Sequence, residues 1–143
     1  VNIVNRDLTK AKTLSLRLLA GGTKSRAVAL GAAELPALLG SADLVVQCTT
    51  VGLNSDQAII DAALLGPGCA VCDLVYAGAP GWPLGDTALL ALARARGLKT
   101  VDGLDVLVHQ AIASLEIWLE KSGLEALFGE LREAAIHANH GAV

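Results

Sequence analysis

The stretch Gln47-Cys48-Thr49-Thr50-Val51-Gly52 sets an amide, a thiol, two hydroxyls and a glycine directly after the apolar run Leu44-Val45-Val46. In open α/β sheets ligands bind outside the carboxyl ends of the strands, so Cys48, Thr49, Thr50 and Gly52 are the first candidates for ligand contact. Threonine hydroxyls bonding their own backbone in a turn would account for the same residues. Arg6, after Val1-Asn2-Ile3-Val4-Asn5, is a second candidate. Arg6 would otherwise be a solvated charge beside a helix start, but a cation there opposes the helix dipole, and that misfit favours an anion site, although the adjacent Asp7 lowers the local potential. Cys69 and Cys72 have C-x-x-C spacing, but they fall in a strand, where residues i and i+3 point to opposite faces and share neither a metal nor a disulfide. His137 and His140 have a spacing that a metal ion could bridge, yet a solvated helix end explains them as well. No metal site is expected.

These residues are carried by strands that alternate with helices. Val1 to Asn5 reads as a strand, followed by a helix in which Leu8, Ala11, Leu14 and Leu18 share a face and Asp7 is the N-cap. A strand at Arg26 to Leu30 and a brief helix at Glu34 to Leu39, with Pro36 in its first turn, come next. Leu44 to Gln47 is a strand without alternation, which suits burial on both faces. A short helix at Ile59 to Leu65 stops at Gly66-Pro67-Gly68, and Ala70 to Val75 is another strand. Tyr76 to Asp86, with four glycines and two prolines, is a loop. A helix at Thr87 to Arg96, capped by Asp86 or Thr87, leads to a strand at Lys99 to Asp102. Two helices, 104–122 and 124–138, close the chain, the first with Leu107, Val108, Ala111, Ile112, Leu115, Trp118 and Leu119 along one face. The tail from His140 frays.

The order predicts an α/β fold with a parallel sheet and helices on both faces. At 143 residues the chain holds one domain, and its 53% apolar content comes mainly from Ala, Leu and Val, with four aromatic residues. A net charge of -3, from 11 basic and 14 acidic side chains, supplies no basic stripe, so nucleic acid is not expected as a partner. No apolar run reaches the roughly 20 residues of a membrane span, and the chain reads as cytoplasmic. Three cysteines argue against a disulfide framework. With no methionine and an opening in mid-strand, the chain is expected to be a piece of a longer protein.

The end of the first strand sharpens the ligand class. In dinucleotide-binding sheets that position holds an acidic residue for the ribose of NAD, whereas a cation there suits the 2'-phosphate of NADP. Asn5-Arg6 is of the second kind, and Asp7 keeps NAD open. With these residues in order, the chain resembles the NADP-binding domain of shikimate dehydrogenases from Val1 to about Phe128. Asn5-Arg6 with Lys10-Ala11 is similar to the family's Asn-Arg-Thr segment, and Gln47 to Leu53 to its Asn-Ala-Thr-Pro-Leu-Gly-Met loop. Asp73-Leu74-Val75-Tyr76 matches its Asp-x-Val-Tyr, Thr87-Ala88-Leu89-Leu90 its Thr-Pro-Leu-Leu, and Gly103 to Ala111 its Gly-x-x-Met-Leu-x-x-Gln element. Gln47, Val106, Leu115 and Asp7 stand where the family has Asn, Met, Phe and Thr.

The resemblance implies a Rossmann-like, doubly wound sheet over residues 1–143 that lacks its first strand, which would lie between Val1–Asn5 and Leu44–Gln47 and carry the glycine-rich pyrophosphate loop. It implies that Asn5 and Arg6 bind the adenosine 2'-phosphate, that Thr49 lies along the cofactor, and that the backbone at Val75 and Gly103 meets the nicotinamide. Tyr76 and Gln110 would face a shikimate- or 3-dehydroshikimate-like substrate. No catalytic residue is expected in this chain, because the family's catalytic Lys and Asp belong to a preceding substrate domain. The complete protein would reduce 3-dehydroshikimate with NADPH, in aromatic amino acid and chorismate biosynthesis. Two further readings are a quinate dehydrogenase and a regulatory domain that keeps the fold without the chemistry.

Overall fold

The computed structural model describes residues 1–76 and 87–140, with side chains to residue 137. The loop expected at 77–86, Asp86 as a cap, the tail beyond His140 and the His140 side chain lie outside the described residues. The chain divides into two compact units, Val1–Ser41 and Ala42–Val143.

In the first unit β1 (Asn2–Asn5) and β2 (Arg26–Ala29) pair in parallel, with Ile3 opposite Ala27. The connection is α1 (Leu8–Ala20), which Asp7 caps as expected by accepting from the backbone N–H groups of Thr9 and Lys10. Its buried face is Ala11 and Ser15, whereas Leu8 and Leu14 of the expected stripe are exposed. Two small residues one turn apart let the helix settle closely on β1 and β2, above buried Val28. The polar member is satisfied: the Ser15 and Ser25 hydroxyls lie 3.0 Å apart, and Ser25 also donates to the Ser15 carbonyl. Pro36 sits in the first turn of α2 (Leu35–Gly40), where its missing N–H costs no helical bond.

In the second unit β3 (Leu44–Gln47), β4 (Ala70–Asp73) and β5 (Lys99–Val101) form a parallel sheet in that order. Its register sets Val45 beside Val71 and Val71 beside Thr100. On that face Val71 is fully buried, and α3 (Ala88–Ala95) packs against β4 and β5 with Leu89, Leu90 and Ala93 inward. Among the described residues the opposite face is open. Leu44, Val46 and Val101 stay 57%, 47% and 45% exposed, so the expectation that β3 is covered on both sides does not hold for the described residues. The parallel α/β class stands, with helical cover on one side of this sheet.

Several boundaries also differ from the sequence reading. The helix expected at 59–65 is only a 3₁₀ turn, Ala62–Leu64, capped by Asp61 and held by the Arg96 guanidinium, which donates to the carbonyls of Ala62 and Leu65. Strand β4 stops at Asp73, and α4 (Gly103–Leu119) stops where Glu120 turns left-handed at φ 51°. After Gly123, at φ 82°, a 3₁₀ turn at Leu124–Leu127 leads into α5 (Phe128–His140). Leu104, Val108 and Ile112 form the buried ridge of α4, packed by Leu124, Phe128, Leu131, Ala135 and Ile136. Leu107, Ala111, Trp118 and Leu119, expected on the buried face, are exposed, because α5 takes the i, i+4 ridge one step around the helix.

Candidate functional site at the strand ends

Three of the five described strands end on a polar side chain that folds forward onto its own backbone, and a fourth, β5, is followed directly by one. Asn5 Oδ1 accepts from Asp7 N at 2.9 Å, Gln47 Oε1 from Thr49 N, Asp73 Oδ1 from Val75 N at 3.0 Å, and Asp102 Oδ1 from Asp105 N at 2.7 Å. Such local bonds offer the amide an alternative to the sheet ladder, so the strand ends and a turn begins. Arg6, Thr49, Val75 and Gly103, the residues assigned to the cofactor from sequence, each lie in or at one of these turns.

Gln47 is 4% exposed and shapes its loop from beneath. Its amide nitrogen donates to the carbonyls of Thr49 and Val51, at 3.3 and 2.9 Å, while the Thr49 hydroxyl accepts from Val51 N. Thr49 itself is exposed at the turn. Gly52 closes the loop at φ 92°, a conformation that disfavours any side chain.

Asp73 is 1% exposed, and both its oxygens are used. Oδ1 holds Val75 N, and Oδ2 accepts from the Thr87 hydroxyl at 2.7 Å. Thr87 Oγ1 in turn accepts from Leu90 N, so one hydroxyl caps α3 and ties it to the end of β4. Gly103 presses on the same turn: a Cβ there would come within 2.6 Å of the Leu74 carbonyl and 2.8 Å of the Val75 carbonyl carbon. The structure therefore brings Val75 and Gly103 together. Behind Gly103, Arg132 of α5 donates to Asp102 Oδ2 at 2.9 Å and to Asp105 Oδ1 at 2.6 Å. The hydrogen bond to Asp105, joined by that to Asp102, raises the Arg132 guanidinium further above its ordinary value, so it stays charged.

Arg6 is exposed and bonds no described residue; Tyr76 is 44% exposed and Gln110 is exposed on α4. The Gln110 backbone carbonyl accepts from Ser114, and its amide side chain is unengaged among the described residues. Gln110 does not flank a buried stripe of Leu107 and Ala111, since both are exposed. Sequence reasoning missed Asp102 and Arg132. Asp102 before a glycine at a strand end was a legible N-cap signal, but nothing local to Arg132 points to partners about 30 residues away.

No family model matches the chain. Sequence comparison finds the NADP(+) shikimate dehydrogenase of Mesorhizobium japonicum, 44% identical over 119 residues, which are 82% of this chain and 39% of that protein. The corresponding enzyme of Symbiobacterium thermophilum is 37% identical over 146 residues, 99% of this chain and 47% of the relative. The chain belongs to the shikimate dehydrogenase family. It spans less than half the length of these family members. Among solved structures, shikimate 5-dehydrogenase of Thermus thermophilus in complex with NADP(H) and shikimate superposes with a TM-score of 0.71 at 26% identity, covering 94% of this chain and 46% of that one.

Beside the shikimate dehydrogenase motifs, the departure at Gln47 now has a physical account. Where the family pattern has Asn, the longer Gln reaches both a backbone N–H and two carbonyls of the loop, so the turn is held without it. The Asp-x-Val-Tyr match is likewise explained by Asp73, whose buried carboxylate needs the Val75 N–H and the Thr87 hydroxyl.

Proposed function

We propose that residues 1–143 are part of the NADP-binding domain of a shikimate dehydrogenase-like oxidoreductase, with C-terminal helices α4 and α5. The complete protein interconverts 3-dehydroshikimate and shikimate, and a substrate domain supplies the acid–base residues. The observation that carries this reading is the 44% identity to an NADP(+) shikimate dehydrogenase. The strand ends fit the cofactor. Gly103 keeps the start of α4 directly against the Leu74–Val75 backbone, where a Cβ would clash, and the Arg6 guanidinium beside the Asn5 turn bonds no described residue.

Bound NADP supplies hydride transfer at its nicotinamide. Arg6 pairs with the 2'-phosphate through its planar fork, and Asn5 adds a neutral contact while fixing the turn. Thr49 lies along the cofactor, and the bare backbone at Val75 and Gly103 meets the nicotinamide. Tyr76 and Gln110 orient the substrate by hydrogen bonds that add no charge beside the reacting carbon.

The test is calorimetric titration of this chain with NADP and NAD. A charge-assisted hydrogen bond contributes about 1.5–3 kcal/mol, so Arg6→Ala should weaken NADP by about 10- to 100-fold and leave NAD within about 3-fold. Equal losses for the two, or none, refute the assignment.

A further inference from the structure

The C-x-x-C spacing hides a different thiol pair. Cys69 is buried at 2% exposure, on the covered side of β4, while Cys72 looks out on the open side between Val46 and Val101. Cys48 follows β3 by one residue, beside Leu74, whose N–H bonds to the Gln47 carbonyl. Counting by twos from Val46 places Cys48 on the same open face as Cys72. Its thiol contacts the carbonyl of Val46 at 3.9 Å, on the edge of β3 away from β4, since the alternate carbonyls of Asp43 and Gln47 are the ones that bond β4; a change of χ1 swings it toward Cys72.

We propose that Cys48 and Cys72 form a binding site for a soft metal or metalloid ion held by two thiolates. Positions one strand over and two residues along are about 8 Å apart at Cα, from a 4.8 Å strand spacing and a 3.3 Å rise. That is beyond the roughly 7 Å limit for a disulfide without backbone movement, whereas a large thiophilic atom between the sulfurs adds the missing reach. Burial and then the Asp73 charge raise the Cys48 thiol, and burial followed by the charges of Cys48, Asp73 and Asp102 raises Cys72. Both are thus protonated at neutral pH and poor nucleophiles singly, while a bridging ion removes the repulsion between the two thiolates.

A monosubstituted arsenic(III) oxide is the suitable probe. Two As–S bonds form, the As–O bonds break, and the oxygen leaves as water with both thiol protons; arsenic stays trivalent and nothing is oxidised or reduced. The chain is incubated with phenylarsine oxide in excess glutathione, which strips single-thiol adducts, and weighed intact. One phenylarsenic per chain is expected for the wild type and for Cys69→Ser. Cys48→Ser and Cys72→Ser should each bind about 10²-fold or more weakly, since the second bond is intramolecular. Peptide mapping of the wild-type adduct needs no variant to fold, and should link the peptides bearing Cys48 and Cys72. A link through Cys69, full uptake by either single variant, or no wild-type adduct overturns the site.

Discussion

Thr87→Val tests whether the strand-end turns are held by their polar side chains or by packing alone. Valine keeps the shape of threonine and removes only the hydroxyl. In the wild type that hydroxyl gives its proton to Asp73 Oδ2 at 2.7 Å and accepts from Leu90 N at 3.4 Å. With Asp73 1% exposed, water has little access to replace the lost donor, and leaving a buried acceptor unsatisfied costs about 1–3 kcal/mol, more if charged. The cap bond is long, so its loss belongs at the lower end of the usual range, about 0.5–1 kcal/mol. Together the substitution should cost about 2–4 kcal/mol, a fall of roughly 1–2 M in urea midpoint for a typical slope. Urea unfolding followed by far-UV circular dichroism would compare wild type, Thr87→Val, Thr87→Ser, Asp73→Asn and the Asp73→Asn/Thr87→Val double variant. Thr87→Ser keeps the hydroxyl and should lose about 1 kcal/mol, for its methyl. The double variant should show a coupling of about 0.5–3 kcal/mol. The reasoning fails if Thr87→Val stays within about 0.5 kcal/mol of wild type, or if it costs the same with and without the Asp73 carboxylate.

Gly103→Ala should destabilise the chain by about 1–3 kcal/mol despite alanine's better helix propensity, because the 2.6 Å approach is to backbone that cannot rotate aside; an unchanged thermal midpoint would show the turn to be pliable. Gln110→Ala should leave stability within about 0.5 kcal/mol, since the side chain is exposed, and in the longer enzyme should raise KM for the ring substrate with cofactor affinity intact; a large stability loss would return Gln110 to a structural role.

What the sequence reveals and what it hides divide by the range of the interactions. Strand positions, Asp7 and Thr87 as caps, and Pro36 in a first turn are local effects, and all were legible. The buried ridge of α4 was read in part: Val108 and Ile112 are buried as expected, but Leu107, Ala111 and Leu119, just as apolar, were placed with them. Only the placement of α5 chooses between the two stripes. The same limit applies to the open face of β3, where an apolar run signals two-sided burial but cannot say what provides the cover. For the cysteines, the pair proposed above is not the one that sequence spacing suggests, since Cys72 and Cys48 are related only through the register of Val46 with Cys72.

The strand-end side chains also explain why the candidate ligand contacts are backbone and small residues. Gln47, Asp73 and Asp102 are 4%, 1% and 7% exposed, so they are spent on holding turns and are closed to a ligand. By taking the N–H groups of Thr49, Val75 and Asp105, they stop each strand within the same short span of chain and turn the next residues out of the ladder. On the proposed reading, a ligand at this edge meets Thr49, the Val75 backbone and Gly103, and not the carboxylates. This matters for charge as well as shape. An unpaired carboxylate at the edge would repel an anionic dinucleotide, whereas Asp73 is turned inward to Thr87, and Asp102 is paired with Arg132. At the separate turn after Asn5 the Arg6 guanidinium bonds no described residue and has the sign a phosphate requires, although the exposed Asp7 carboxylate next to it lowers the local potential.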